Sequence, residues 1–352
     1  MYIFTFITII IYIYQIEKKI MSFNIETRKV QKTGGSSFII SLPIEWIKKH
    51  GIKAKDTLGV LSQPDGNLMI TPYVSSEKNR KEKNFDVDEI KDPDFLFRLL
   101  IGAYIMGYNI IGVRSSKKIN SDIKDTVRAF RKITIGTEIE EESENYIKIK
   151  DLVDPTEMPF EKTIKRMYIL ANGMHEDALK ALETGDKTLA KKVIEIDDDI
   201  DTLNWLVERQ AHIVLRDIVL CQKLGITLED ASNFKFISRF LERIADHAVK
   251  IAKNVILIDY KKIDKDLYNN IMKASEISLE LLNMSLDAWL QKDLNLANEN
   301  IESIKKLTTA CNTIKISPNS EYLVEIGFII ESIRRTGEYS SDISEIIINN
   351  LI

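Results

Sequence analysis

At 352 residues, 44% of them apolar, the chain is long enough for two or three domains with real cores. Its net charge of −4 excludes a nucleic-acid binder declared by overall charge, so any such function has to lie in a local concentration of Lys and Arg. Two cysteines, Cys221 and Cys311, both in helical patterns, exclude a disulfide-stapled scaffold and point to reduced thiols in a cytoplasmic protein.

Residues 1–20 open with MYIFTFITIIIYIY, which carries no charge before Glu17 and then meets Lys18 and Lys19. A secretory signal has its positive residues first and a small-residue cleavage site afterwards. The apolar run is also short of the roughly 20 residues that span a bilayer. The expectation is a mis-called start or a hydrophobic leader, with Met21 as the true start because an ordered pattern begins there; a translated leader would instead tether the protein to a membrane.

Residues 21–74 read as short strands. NIETRKVQK is followed by TGGSS, FIISLP, a short helix at 44–50, DTLGVLSQ, the turn Pro64-Asp65-Gly66-Asn67 and LMITPY. Pro43 suits the first turn of that helix and Gly51 the left-handed position that ends it. Strands this short bury no core alone, and a unit of this size gains one by pairing with a second copy. Between Met21 and Asp56 there are seven Lys or Arg against three acids, a balance of +4 that dimerisation would double along one groove. These lysines also fit a plain solubilising role. The order of strands, the Gly-Gly-Ser turn, RKV before it and LPIEW after it resemble the SpoVT/AbrB swapped-hairpin DNA-binding domain. The resemblance implies a homodimer on double-stranded DNA, with Arg28, Lys29, Lys32, Ser36, Ser37, Lys48 and Lys49 facing the duplex. Such backbone contacts position a protein without choosing sequence.

Residues 75–84, SSEKNRKEKN, are polar and charge-dense and read as a linker. Residues 85–152 read as a small α/β module, with helices at 94–107 and 119–132 and strands at 109–114, 138–142 and 146–149. The module contains neither a phosphate loop ending in Lys-Ser or Lys-Thr nor a G-x-G-x-x-G turn.

Residues 153–352 read as helices at 160–184, 187–223, 227–257, 264–291, 294–314 and 320–349, divided by Gly185-Asp186, Gly225, residues 259–264, Lys292-Asp293 and Ser317-Pro318. Six helices suggest two three-helix units. In the third, Phe234, Ile237, Leu241, Ile244, Ala245, Ala248, Ile251, Ala252 and Val255 have the spacing of a buried bundle stripe. Glu242 and Asp246 lie four apart on another face, roughly 6 Å between Cβ atoms, close enough to share a hard cation. Arg239 and Lys250 supply ordinary salt-bridge partners at the same spacing, so a solvated helix face fits the local sequence as well. Upstream, Asp197 and Asp201 are also four apart.

LERIADHA, from Leu241 to Ala248, resembles the LERIGDHA signature of PhoU, the regulator of phosphate uptake, and residues 181–210 resemble the helix before it. The resemblance implies tandem three-helix bundles, coupling to a phosphate transporter or its signalling partners, and a metal site at Asp197, Asp201, Glu242 and Asp246. Two positions depart from the pattern: Asn204 stands where a further acid is common, and Ala231 where an Arg is common. A weak internal repeat sets Asp293 opposite Asp186 and Arg334 opposite Glu242, with Ile304 and Thr308 opposite Asp197 and Asp201. One carboxylate site, in the first unit, is therefore expected. Acids without cysteine or a nearby free histidine favour a hard divalent metal or iron over zinc.

No catalytic residues are expected. The four histidines form neither paired Glu-x-x-His motifs nor H-E-x-x-H, and there is no G-x-S-x-G elbow; His247 beside Asp246 offers a ligand or general base, although on a helix flank it reads more readily as a packed or solvent-facing residue. No organic cofactor is implied. The sequence thus reads as a cytoplasmic, dimeric regulator of phosphate uptake with an AbrB-like N-terminal domain on DNA. The alternative is an adaptor that negatively regulates a phosphate transporter through protein and metal contacts, its β domain serving only to dimerise.

Overall fold

The computed structural model describes residues 26–62, 66–72 and 81–352. The expectations for residues 1–20, for Pro64-Asp65 and for residues 75–80 of the linker lie outside them. The chain divides into two units, residues 1–78 and 79–352.

In the first unit β1 (Gln31–Thr33) and β2 (Ser37–Ile39) form an antiparallel hairpin in which Lys32 faces Phe38 and Thr33 faces Ser37. Helix α1 (Ile44–Lys49) follows, with Pro43 at the N-cap, one place earlier than the sequence suggested. Gly51 ends that turn at φ +62°, a conformation only glycine adopts without strain. Strands β3 (Gly59–Ser62) and β4 (Leu68–Thr71) make a second antiparallel pair. None of the described residues 26–72 is buried, as expected of strands too short to enclose a core.

The second unit begins with the α/β module. Strand β5 (Glu82–Asp86) pairs in parallel with β6 (Ile110–Arg114), and β8 (Tyr146–Asp151) lies antiparallel between β6 and β7 (Thr137–Glu142), giving the order β5-β6-β8-β7. Helices α2 (Pro93–Ile105) and α3 (Ser121–Ile133) pack on the sheet through Leu96, Leu100, Tyr104, Val127 and Phe130. Each is N-capped by the side chain before it, Asp92 and Asn120. Strand β5 begins inside the segment read as linker. Its charged residues lie on an exposed sheet edge and Phe85 alone is buried, so its composition conceals a strand.

The remainder is helical: α4 (Phe160–Thr184), α5 (Lys187–Val214), the short α6 (Ile218–Lys223), α7 (Leu228–Leu257), α8 (Lys265–Gln291), α9 (Leu294–Thr313) and α10 (Leu323–Leu351). Helices α4, α5 and α7 pack as one three-helix unit and α8, α9 and α10 as another, joined mainly where α7 lies against α10. One continuous apolar core runs through both. The single helix expected over 187–223 is broken after Val214, because the Asp217 carboxylate accepts from the backbone N–H groups of Val219 and Leu220 and starts α6 afresh. Between α4 and α5 the chain turns at Gly185, φ +68°, where the Tyr260 ring occupies the space a Cβ would need. Among the described residues no helix is long and apolar enough to cross a membrane.

Candidate functional site

The acidic face of the first three-helix unit is positioned by two long, well-capped helices. Asp186 caps α5 by accepting from the backbone N–H of Thr188 and Leu189. Thr227 and Asp230 form a reciprocal capping box at the start of α7. All nine apolar stripe residues of α7 named above are buried, which fixes its rotation and turns Glu242 and Asp246 toward α5.

Asp197 and Asp201 from α5 meet Glu242 and Asp246 from α7 electrostatically. Burial first, then the charges of Asp197, Glu242, Asp246 and Asp198, push the Asp201 carboxyl up to about 7. Burial and Asp246 likewise raise Asp197, and burial raises Glu242 against the opposing pull of Arg239. Glu242 is 13% exposed, and its Oε2 is buried without a hydrogen-bond partner. Arg239 and Arg243 each stand 3.7 Å from its carboxylate, and Arg243 is 3.8 Å from Asp246. The salt-bridged face that the spacing allowed therefore exists on α7 and does not relieve Asp197, Asp201 and Glu242. Lys250 has no part in it; its ammonium lies 4.9 Å from the centre of the Phe328 ring.

A hard cation fits this chemistry, since oxygen ligands with raised pKa values and an orphaned carboxylate oxygen are what a divalent ion relieves. Among the described residues no three His, Cys, Asp or Glu side chains converge closely enough to hold a metal ion as they stand. The two departures from the family pattern have packing reasons. Asn204 is buried and accepts from the Ser238 hydroxyl at 3.1 Å, and Ala231 is buried in the α7 interface. The His247 ring packs 5.9 Å from Tyr339, its Nδ1 is buried without a hydrogen-bond partner, and burial lowers its pKa to about 4.

In the second three-helix unit the corresponding position is neutralised by the chain itself. Arg334, opposite Glu242 in the repeat, pairs with Glu331 and reaches Glu338 at 3.9 Å, and Arg335 pairs with Glu338 at 2.6 Å. Ile304 packs on the core, and the Thr308 hydroxyl donates to the Ile304 carbonyl.

The residues of the first unit singled out for DNA contact are all exposed. Lys32 lies on β1, Ser36 in the hairpin turn, Ser37 opens β2, and Lys48 and Lys49 end α1. Arg28 and Lys29 precede β1, and Arg28 pairs with Glu26 two residues away. The same unit exposes Val30, Phe38, Ile39, Ile40, Ile44, Val60 and Leu68, with Phe38 at 69%.

One constellation escaped sequence reading. Arg209, on α5 and almost wholly buried, donates to the Tyr104 carbonyl and to Asp151, and its guanidinium lies 4.7 Å from the centre of the Tyr104 ring. Trp205 packs against the core of the α/β module, and the Thr202 hydroxyl donates to the Ile133 carbonyl at 2.9 Å. The module is thus seated on the same helix that carries Asp197 and Asp201. Nothing in the sequence singled it out, because Arg209 stands in the polar run Glu208-Arg209-Gln210.

Comparison with known proteins gives two domain matches: the PhoU domain over residues 164–255, and "Antidote-toxin recognition MazE, bacterial antitoxin" over residues 31–78. A phosphate-specific transport system accessory protein PhoU homolog from Borreliella burgdorferi is 30% identical over 186 residues, covering 49% of this chain and 82% of that protein. PhoU homolog 1 of Thermotoga maritima is 30% identical over 135 residues, 38% of this chain, and the chain spans 56% of its length. The crystal structure of PhoU from Pseudomonas aeruginosa aligns at a TM-score of 0.49 with 22% identity, covering 54% of this chain and 93% of that one.

Proposed function

The chain belongs to the PhoU family, and from that premise we propose that it is a regulator of phosphate uptake that holds double-stranded DNA as a homodimer through its N-terminal AbrB-like domain and receives its signal through the helical bundles. The observation that carries this reading is the N-terminal unit itself. It combines a match to an antitoxin domain, a local excess of basic residues, and apolar side chains from Phe38 to Leu68 that nothing in the described residues covers. A second copy would bury those side chains and set two basic hairpins side by side.

On the helical side, Asp197, Asp201, Glu242 and Asp246 would hold a hard divalent cation or iron, which would supply charge neutralisation across the α5–α7 face. The residues themselves hold the site in a high-energy state, with Asp201 reluctant to ionise. Cation or transporter binding that favours one bundle arrangement would bias the DNA-bound form only through different affinities for the two states. A cytoplasmic location follows from this role.

The relatives are named accessory proteins of a transport system, which favours a second reading: an adaptor on the transporter's signalling partners whose β domain only dimerises. Fluorescence anisotropy with duplex DNA across a salt series separates the two. The promoter of the organism's own phosphate transporter is expected to bind more tightly than a scrambled duplex. Arg28→Ala with Lys29→Ala removes four cations per dimer and flattens the log K against log salt slope by up to about 3.6. Absence of binding to either duplex by a dimeric chain refutes the DNA reading.

A further inference from the structure

Four basic side chains gather at the C-terminal end of α5, beyond Asp197 and Asp201, where the α/β module meets the first three-helix unit. Lys81 stands just before β5; its carbonyl accepts from the N–H groups of Asn109 and Ile110, and its own N–H donates to the Asn109 side chain at 3.2 Å. The same turn between α2 and β6 receives Arg216, whose guanidinium donates to the Met106 carbonyl at 2.9 Å. Gly107, φ +76°, lets this turn close on α5, because a Cβ there would stand 2.8 Å from the Ile213 side chain. Past Val214 the backbone runs on helically, Leu215 donating to Ala211 and Asp217 to Ile213. Arg216 therefore lies one turn beyond His212, roughly 6 Å between Cβ atoms. On the other side of His212, Lys235 of α7 places its ammonium 3.3 Å from Nε2. Lys81, Arg216, His212 and Lys235 thus make a row that crosses from β5 over α5 to α7.

Gathering like charges is unfavourable, and the row carries that cost. Burial and then Arg216 lower the pKa of Lys81; burial and then the charges of Lys235 and Arg216 lower that of His212. Among the described residues no carboxylate pairs with any of the four. The acid next in sequence, Asp217, is taken up by capping α6. Arg216 uses one of its five N–H donors on Met106, and Lys235 one of its three on His212. The remaining donors have no acceptor among the described residues.

An oxyanion would supply both the missing acceptors and the missing charge. One phosphate is small enough to bridge only neighbours in the row, whereas two linked phosphates reach along it. We propose that Lys81, Arg216, His212 and Lys235 form a binding site for a small molecule carrying a diphosphate group, as in pyrophosphate or a nucleoside diphosphate. Such a ligand would tie the module to α5 and α7 together. The site needs neither the DNA reading nor the cation site and stands if both fail.

Pyrophosphate titrated into the full chain at low ionic strength tests this, followed by calorimetry and by the imidazole NMR signals. The His212 signal, assigned with His212→Gln, is expected to move, while that of the wholly buried His175 stays. Pyrophosphate should bind at least roughly tenfold more tightly than inorganic phosphate. Lys81→Ala with Lys235→Ala removes both ends of the row, leaves Arg216 on Met106, and should weaken binding at least roughly tenfold. Lys81→Arg with Lys235→Arg keeps the charges and should keep the binding. Absence of binding, an unmoved His212 signal, or an affinity that the alanine substitutions leave unchanged overturns the site. Equal affinity for inorganic phosphate overturns the diphosphate assignment.

Discussion

Replacing Asp201 by Asn should make the folded chain more stable at pH 8 while removing its response to divalent cations. Asp201 has a reference value of 3.8 and is pushed up to about 7 by burial and by its carboxylate neighbours. The unfolded chain thus releases this proton at a lower pH than the folded one does. Stability associated with the group is complete below the lower value and is lost as pH rises through the upper one. A shift of that size corresponds to about 4 kcal/mol if taken at face value. Asp201 is only partly shielded from water, and solvent screening reduces the expectation to about 1–2 kcal/mol.

Asn keeps the shape and cannot ionise, so Asp201→Asn should raise Tm by about 2–4 °C at pH 8. The advantage should shrink toward zero as pH falls from 8 toward 4. Acid effects from His175 and His247 are common to both proteins and cancel in the difference. Adding manganese at about 100 times its Kd should stabilise the unsubstituted chain by about 2.7 kcal/mol and leave the Asn variant unmoved. Thermal unfolding at several pH values, with and without the ion, reads both effects. A variant less stable at pH 8, or an advantage independent of pH, refutes the account of Asp201 as a strained carboxylate.

His175 is wholly buried, donating or accepting at Ser275 (3.2 Å) and Thr336 (3.4 Å), and burial lowers its pKa to about 4. Its contribution is present above the unfolded value near 6.5 and is lost as pH falls, by about 2 kcal/mol at pH 5; urea midpoints of His175→Gln should lack that part of the acid slope, and an unchanged slope would contradict it. Arg209→Ala leaves Asp151 charged and buried, so it should cost about 3–5 kcal/mol, whereas Arg209→Met with Asp151→Leu should cost far less; equal losses in thermal unfolding would argue against a buried ion pair. Phe38→Asp removes an apolar side chain from each side of the proposed N-terminal interface, about 3–6 kcal/mol per dimer, enough to weaken dimerisation by roughly a hundredfold or more. Sedimentation equilibrium should show dissociation, and an unchanged dimer would place the interface elsewhere.

The helices were legible because their signals are local and repeated. Asp186, Thr227, Asp264 and Asp293 each cap a helix, and the α7 stripe runs unbroken for six turns' worth of apolar spacing. Where one polar side chain can act either inside a helix or at its start, the pattern was silent: Asp217 divides what hydrophobic periodicity joins. Strand β5 was hidden because an edge strand needs only one buried residue, and Phe85 stood at the end of a charged run. The four carboxylates were picked out by spacing and resemblance, but the difficulty of Asp197, Asp201 and Glu242 in ionising was not, since burial of Asp201 depends on how α5 meets α7. Arg209 shows the same limit more sharply: its partners Tyr104 and Asp151 lie 105 and 58 residues away.

Helix α5 joins these observations. Its first half presents Asp197 and Asp201, and its second half, from Thr202 to Arg209, holds the α/β module by a hydroxyl, an indole and a buried guanidinium. A rigid helix cannot change its rotation at one end without carrying the other. On the reading proposed here, a cation that draws α5 toward α7 would therefore act on the module as well as on the bundle. The second three-helix unit cannot answer in kind, because Ile304, Thr308 and Arg334 stand opposite Asp197, Asp201 and Glu242, and Arg334 pairs with Glu331 and Glu338 of its own helix. The response would then be confined to one cation site per chain and one direction of transmission, through α5 and the module. Loosening the module with Arg209→Ala, which leaves Asp151 without its partner, should accordingly leave manganese binding at Asp201 intact while abolishing any effect of manganese on DNA affinity. Retention of that effect would place the transmission outside α5.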